Sequence, residues 1–253
     1  LRVPAKRVVS LCPSITETIV AIGGLKALAG VTRYCTKPSG MLWGLPRIGG
    51  TKTPDIARIL DLAPDLVFAN AEENRREDVE ALRAAGIEVD VTLPKTVAEV
   101  PGAIRRWGGK LGTSDEADAL ADRIEKASRE LEARKPAAAF RYAYWIWKDP
   151  WMTVSDDTYV ADLLRLGGGE NVYGREQVRY PTTSPADATA RRAEVHIFAS
   201  EPYPFSEEKH GPVVEKLFGT AARRVFVDGD DFCWHGVRTL EGIKATSALQ
   251  NKA

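Results

Sequence analysis

SDEADALADRIEKASRELEARK, residues 114–135, contains neither Gly nor Pro. Leu120, Ile124, Ala127 and Leu131 recur at steps of four, three and four, which is one face of an α-helix. Ser114, Asp115 and Glu116 open the stretch, where hydroxyls and carboxylates suit a helix N-terminus. Arg134 and Lys135 close it, and Pro136 stops it. Such a helix runs roughly 30 Å at 1.5 Å per residue. About 113 residues precede it and about 118 follow. Both flanks carry α/β patterns. The reading favoured is an α/β protein of two lobes, residues 1–113 and 136–253, joined by the 114–135 helix as a rigid strut. The plainer alternative is a surface helix within one domain.

With 253 residues the chain is long enough for two cores. Its 35 basic and 35 acidic residues cancel and form no long block, which argues against a nucleic-acid or polybasic membrane surface. No apolar run approaches the ~18 residues of a membrane span. The sequence opens at Leu1-Arg2-Val3-Pro4 without Met or a visible signal segment, and an upstream piece is expected to have been removed. Cys12, Cys35 and Cys233 are too few and too scattered for a disulfide framework or a CxxC metal site.

In the first half, Arg7 to Leu11 reads as a strand, and Ser14 with Glu17 as a capping box opening a helix that ends at Gly23-Gly24. Val31-Thr32 starts a second strand. Residues 34–53 form a long Gly- and Pro-rich loop carrying Trp43. A short helix at 55–62, a strand at 65–69, a helix at 74–85 and a strand at 87–91 make a βαβ unit, hence a parallel sheet. The second half repeats the plan, with strands at 140–147, 195–199 and 224–228. Its helices fall at 158–166, 212–218 and from Thr239 onward.

Nucleotide-binding and serine-hydrolase motifs are missing from the sequence. His196 sits in an apolar strand and reads as core, and His210 as solvated. Cys233-Trp234-His235 follows a strand end, where α/β sheets place binding loops. Cys35, Cys233 and His235 meeting at one metal, or acting as an enzyme's nucleophile and ligands, is the competing class to a binding protein. The aromatic residues weigh more. Tyr142, Tyr144, Trp145, Trp147 and Trp151 crowd one strand and its turn, and Tyr180 and Trp234 sit in loops. Alternation sends Tyr144 and Trp145 to opposite faces, so not all are expected in the core, and a flat apolar ligand face is indicated. Packing of the lobes is the alternative.

Pro13-Ser14-Ile15-Thr16-Glu17 after a strand, Arg47-Ile48-Gly49-Gly50-Thr51, Ala63-Pro64-Asp65-Leu66-Val67 and Gly167-Gly168-Gly169-Glu170-Asn171-Val172 occur in an order that resembles the type III periplasmic binding proteins. These are the cobalamin, ferric-siderophore and haem receptors of ABC importers. The resemblance spans nearly the whole chain. It implies two lobes, each with a mainly parallel sheet flanked by helices, one connecting helix, and a ligand held in the cleft. It also implies a non-enzymatic, monomeric protein, periplasmic or lipid-anchored outside the cytoplasmic membrane, that partners importer membrane subunits.

Among ligands the resemblance leans to cobalamin. It implies ligand-binding roles for Tyr34, Trp145, Trp151, Tyr180 and Asp230, with Trp43, Trp234 and His235 as further candidates. Thr51 and Asn70 stand where enterobacterial-type receptors carry Trp, a departure that Trp43 and Trp234 are expected to offset. Ferric siderophores remain open through Arg33, Arg179 and Arg238. Haem remains open through Tyr34 or His235 as axial ligand, and Cys233 or His235 are candidate ligands to a bound metal. Importer docking through one acid per lobe falls on Ala57 and Ala186, so Asp55 and Asp187 are expected to substitute. Asp55 doubles as a helix start, whereas Asp187 has no evident local role in the sequence.

Overall fold

The structure, a computed structural model, describes residues 3–219 and 222–250. It forms two compact α/β lobes. One comprises residues up to 94, 98–125 and 235–238, and the other 95–97, 126–234 and 239 onward.

In the first lobe, β1 (Val8–Ser10), β2 (Leu28–Val31), β3 (Leu66–Asn70) and β4 (Glu88–Thr92) form a parallel sheet in the order β2-β1-β3-β4. Val67 of β3 pairs with Val9 on one side and Val89 on the other. Parallel strands flanked by helices are buried on both faces, so they read as continuous apolar runs. β3 is buried along its whole length. Three helices, α1 (Pro13–Ala21), α2 (Ile56–Asp61) and α3 (Arg76–Ala84), connect the strands. One side of the core gathers Val9, Leu11, Ile48, Ile59, Val67 and Leu82.

The expected capping box is absent. α1 begins at Pro13, so Ser14 lies inside the first turn, and the N-cap is Cys12, which makes no side-chain cap bond. Glu17 instead pairs with Arg238 at 2.8 Å. A helix not anticipated in the sequence, α4 (Val100–Leu111), packs its buried Ile104, Trp107 and Leu111 inward. Its Gly108 permits close approach to the next helix, since a Cβ there would overlap that of Ala117.

That next helix is α5 (Ser114–Ala133), the long link between the lobes. Ala117, Leu120, Ala121, Ile124 and Leu131 are buried, one stripe at the anticipated spacing. Arg105 of α4 ties its first half down through Asp118, Asp122 and Glu125 at 2.6–3.4 Å.

The second lobe repeats the topology. β5 (Phe140–Trp145), β6 (Gly169–Asn171), β7 (Val195–Ala199) and β8 (Arg223–Val227) are parallel in the order β6-β5-β7-β8. Around them lie α6 (Tyr159–Leu166), α7 (Pro185–Ala190), α8 (Glu207–Phe218), α9 (Gly229–Cys233) and α10 (Thr239–Gln250). Thr158 caps α6, accepting from the Ala161 N–H. Tyr142, Tyr144 and Trp145 are all buried despite pointing to both faces. Trp147, at the end of the run, is 40% exposed, so the expectation that not all of these rings lie in the core holds, although helices on both faces of the sheet bury the three within β5. Among the described residues no helix is long and apolar enough to cross a membrane.

Candidate functional site

In both lobes the strand order reverses beside the first strand, between β1 and β3 and again between β5 and β7. Open parallel sheets bind ligands beyond the carboxyl ends of strands at such switch points. The segments that carry the predicted site residues leave from those ends. Tyr34 follows β2, Trp151 lies in the turn after β5, Tyr180 precedes α7, and Asp230 and Trp234 follow β8.

In the first lobe Tyr34 is 51% exposed and Trp43 89% exposed. The Arg33 guanidinium lies 5.0 Å from the Tyr34 ring centre and donates to its hydroxyl at 3.2 Å. Beneath them the chain is tightly bonded. The Thr16 hydroxyl lies 3.0 Å from Cys35 Sγ and 2.9 Å from Ser10 Oγ, and that of Thr32 lies 3.1 Å from the same sulfur. Asn74 donates to the carbonyls of Leu11 and Thr51. Buried Asn70 accepts from the Glu72 and Glu73 N–H groups, so it braces a turn where the resemblance places a ligand-facing Trp. His235 is buried, its ring 6.2 Å from that of Trp107, and burial lowers its pKa to about 4. It is therefore neutral at pH 7.

In the second lobe Trp145 is fully buried among Trp151, Tyr173, Phe198 and Phe218, with ring centres 5.1–6.4 Å away. Its indole N–H donates to His196 Nδ1 at 3.3 Å. As a ligand-facing ring Trp145 is corrected, because both its faces and its donor are taken up in the core. Trp151 is half-buried and stacks on Phe205 at 5.9 Å. Tyr180 is half-buried beneath the Arg179 guanidinium, 5.8 Å from its ring centre, and Arg179 approaches Asp157 at 3.8 Å. Asp230 is buried and Trp234 half-buried.

Glu201, just past β7, was not anticipated as a site residue. Burial and then the adjacent Asp230 raise its carboxyl to about 7, while a hydrogen bond from Trp234 opposes the rise. The available signal was its position immediately after an apolar strand, next to Pro202.

The cysteines do not form a reactive centre. Burial pushes the Cys12 thiol up to about 12 and raises that of Cys35. A thiol held protonated is a poor nucleophile. Cys233 is exposed. Among the described residues no group of three His, Cys, Asp or Glu side chains is placed to hold a metal ion, so the joint Cys35, Cys233 and His235 site is corrected.

Asp55 is exposed and caps α2, accepting from the Arg58 N–H at 3.0 Å. Asp187 does have local partners: Arg191 at 2.8 Å and the Thr183 hydroxyl at 2.9 Å. Burial opposes ionisation there, but Thr183, Tyr173 and Arg191 together hold its carboxyl below the usual range. Arg191 also reaches Glu176 at 2.8 Å inside a polar cavity of about 280 Å³. This charge network satisfies itself and lacks an apolar face for a ligand ring.

Residues 8–219 match the family model for periplasmic binding proteins. A vitamin B12-binding protein of Vibrio cholerae (O395) is 27% identical over 199 residues, covering 78% of this chain and 71% of that protein. One from Yersinia pestis (Pestoides F) is 25% identical over 194 residues, 76% and 69% respectively. Among solved structures, the periplasmic vitamin B12-binding protein of V. cholerae superposes with a TM-score of 0.86 at 21% identity, covering 98% of both chains. A periplasmic heme-binding protein from Roseiflexus sp. RS-1 gives 0.82 at 23%, again covering 98% of both. These structural likenesses speak for the fold. The chain belongs to the periplasmic binding protein family, non-catalytic proteins that work outside the cytoplasmic membrane and deliver ligands to ABC importers.

Proposed function

We propose that this protein captures cobalamin and hands it to an importer. The observation that carries the reading is the set of rings beyond the carboxyl ends of the strands. Tyr34 and Trp43 are exposed in one lobe; in the other Trp151, Tyr180 and Trp234 are half-buried and Asp230 is buried. A corrinoid offers a broad apolar ring edge fringed with amides. Rigid aromatic faces cover such an edge at low entropy cost, and a carboxylate accepts from an amide N–H. The B12-binding relatives point the same way.

One observation favours haem as a second reading. The half-exposed Tyr34 phenol, held by Arg33, is an oxygen ligand of the kind haem iron accepts. His235, the other candidate, is buried. Equilibrium dialysis with the wild type and two variants separates the readings. Tyr180→Ala is expected to weaken cobalamin binding about thirtyfold, on the order of 2 kcal/mol for a desolvated ring. Tyr34→Phe keeps its ring and is expected to leave cobalamin affinity within about threefold. Cobalamin binding untouched by Tyr180→Ala, with a haem absorption band that Tyr34→Phe abolishes, would favour the second reading.

Docking is assigned to Asp55 and Asp187. Rim charges mainly set orientation and on-rate. Reversing both to Lys is expected to slow association with the cognate importer, most at low salt, without changing ligand affinity. Unchanged association rates would place docking elsewhere.

A further inference from the structure

β5 and β7 are paired and flank the switch point of the second sheet, so the chain leaving their carboxyl ends stands where open parallel sheets hold ligands. Trp147 lies just past the end of β5, and Tyr203 just past the end of β7. Their rings meet at 73° with centres 5.5 Å apart. An edge-to-face contact covers at most one face of an indole, and Trp147 stays 40% exposed. The pair is fixed from both sides. The Tyr203 N–H donates to the Ile146 carbonyl at 3.3 Å, and the Met152 N–H to the Trp147 carbonyl at 3.1 Å. The Tyr203 ring packs 4.6 Å from buried Phe205, which stacks on Trp151. Rings held in this way have already lost much of their freedom, so a ligand settling on them pays little to order them.

The Tyr203 hydroxyl supplies a second observation. The Ser206 N–H donates to His210 Nδ1 at 3.2 Å. That nitrogen therefore carries a lone pair, and the ring proton sits on Nε2, which lies 3.4 Å from the Tyr203 oxygen and donates to it. The phenol accepts from His210, and its own proton is left for another acceptor. An open indole beside a phenol O–H suits a planar aromatic group that carries an oxygen acceptor close to its ring.

We infer that Trp147 and Tyr203 form a shelf for the nucleotide base of the corrinoid. The base stacks on Trp147, and the Tyr203 O–H donates to an oxygen of the attached ribose phosphate. The shelf has this occupant only if the ligand is a corrinoid, so the assignment rests on the proposed function; its two rings lie outside the set named there. Size decides between the base and the corrin. One indole matches a bicyclic heterocycle ring for ring, whereas the corrin presents a broad edge fringed with amides that one indole covers poorly. Stacking on an aromatic side chain does not read the hydrogen-bonding edge of a base, so one base can replace another while loss of the base is felt.

The test compares cyanocobalamin with dicyanocobinamide, which keeps the corrin and its amides but lacks the base, ribose and phosphate. In equilibrium dialysis, Trp147→Ala is expected to weaken cyanocobalamin binding about thirtyfold and to leave dicyanocobinamide within about twofold of its wild-type affinity. Trp147→Phe keeps a ring and is expected to hold cyanocobalamin to within about fivefold of wild type. Tyr203→Phe keeps the packing and removes only the O–H, and is expected to weaken cyanocobalamin about fivefold, again without affecting dicyanocobinamide. Unchanged cyanocobalamin binding by Trp147→Ala overturns the shelf and leaves the cobalamin reading intact. Equal weakening of both ligands does the same, since the ring would then meet the corrin or merely brace the loops. A wild type that binds neither corrinoid overturns both.

Discussion

Trp145→Ala separates a core ring from a ligand-binding ring. Trp145 is completely buried, and five aromatic or imidazole rings lie within 6.4 Å of it: Trp151, Tyr173, His196, Phe198 and Phe218. Truncating a buried Trp to Ala costs about 3–5 kcal/mol through lost transfer energy and the cavity left behind. The change also removes the donor to His196 Nδ1, whose Nε2 is already buried without a partner. Loss of a buried hydrogen bond adds about 1 kcal/mol, so the upper half of that range is expected. With a urea slope near 2 kcal/mol/M, the unfolding midpoint of the second lobe should drop by roughly 2 M. Tryptophan fluorescence and circular dichroism across a urea series read this directly. Trp145→Phe should recover about half of the loss, since it refills most of the cavity but cannot donate to His196. A midpoint that moves by less than ~0.3 M, together with a tenfold loss of ligand affinity, would refute the assignment and return Trp145 to the site.

Two further outcomes follow from the packing and the charge states. Burial first, and the Arg224 charge second, depress the His196 pKa to about 4 from the ordinary 6.5. The stabilisation from keeping it neutral is complete above pH 6.5 and is lost as pH falls toward 4, at about 1.4 kcal/mol per pH unit. Buried His235 contributes a slope of the same sign, so urea midpoints at pH 7, 6 and 5 should fall with pH and His196→Gln should make that fall shallower without abolishing it; an unchanged slope would mean other groups govern the acid side. Gly108→Val should lower the melting temperature of the first lobe, because the new side chain meets Ala117 on α5 and overpacking costs about 1–3 kcal/mol. An unaltered melting temperature would show that α4 and α5 can separate freely.

The parallel sheets and the linking helix were legible because their signals are periodic and local. β3, buried at every position, and the βαβ unit through β4 followed from apolar runs between turn residues. The Leu120, Ile124 and Leu131 stripe gave α5. α4 escaped because Gly102, Gly108 and Gly109 weaken its helical pattern, and the reason for Gly108 is the neighbouring helix, a tertiary fact. The Ser14–Glu17 spacing suggested a cap because sequence cannot show that Arg238, far along the chain, claims the carboxylate. Composition announced an aromatic site but not which rings are exposed. Trp145 and Trp151 lie six residues apart, and one is sealed in the core while the other is only half-buried. Asp187 looked idle until the fold brought Arg191 and Thr183 to it.

Isothermal calorimetry with cyanocobalamin, haemin and a ferric hydroxamate, run in parallel on the purified protein at pH 7, tests the central claim most directly. The account predicts saturable binding of cyanocobalamin at one molecule per chain, tighter than either of the other two. No heat with cyanocobalamin, alongside saturable binding of haemin or the ferric hydroxamate, would contradict it.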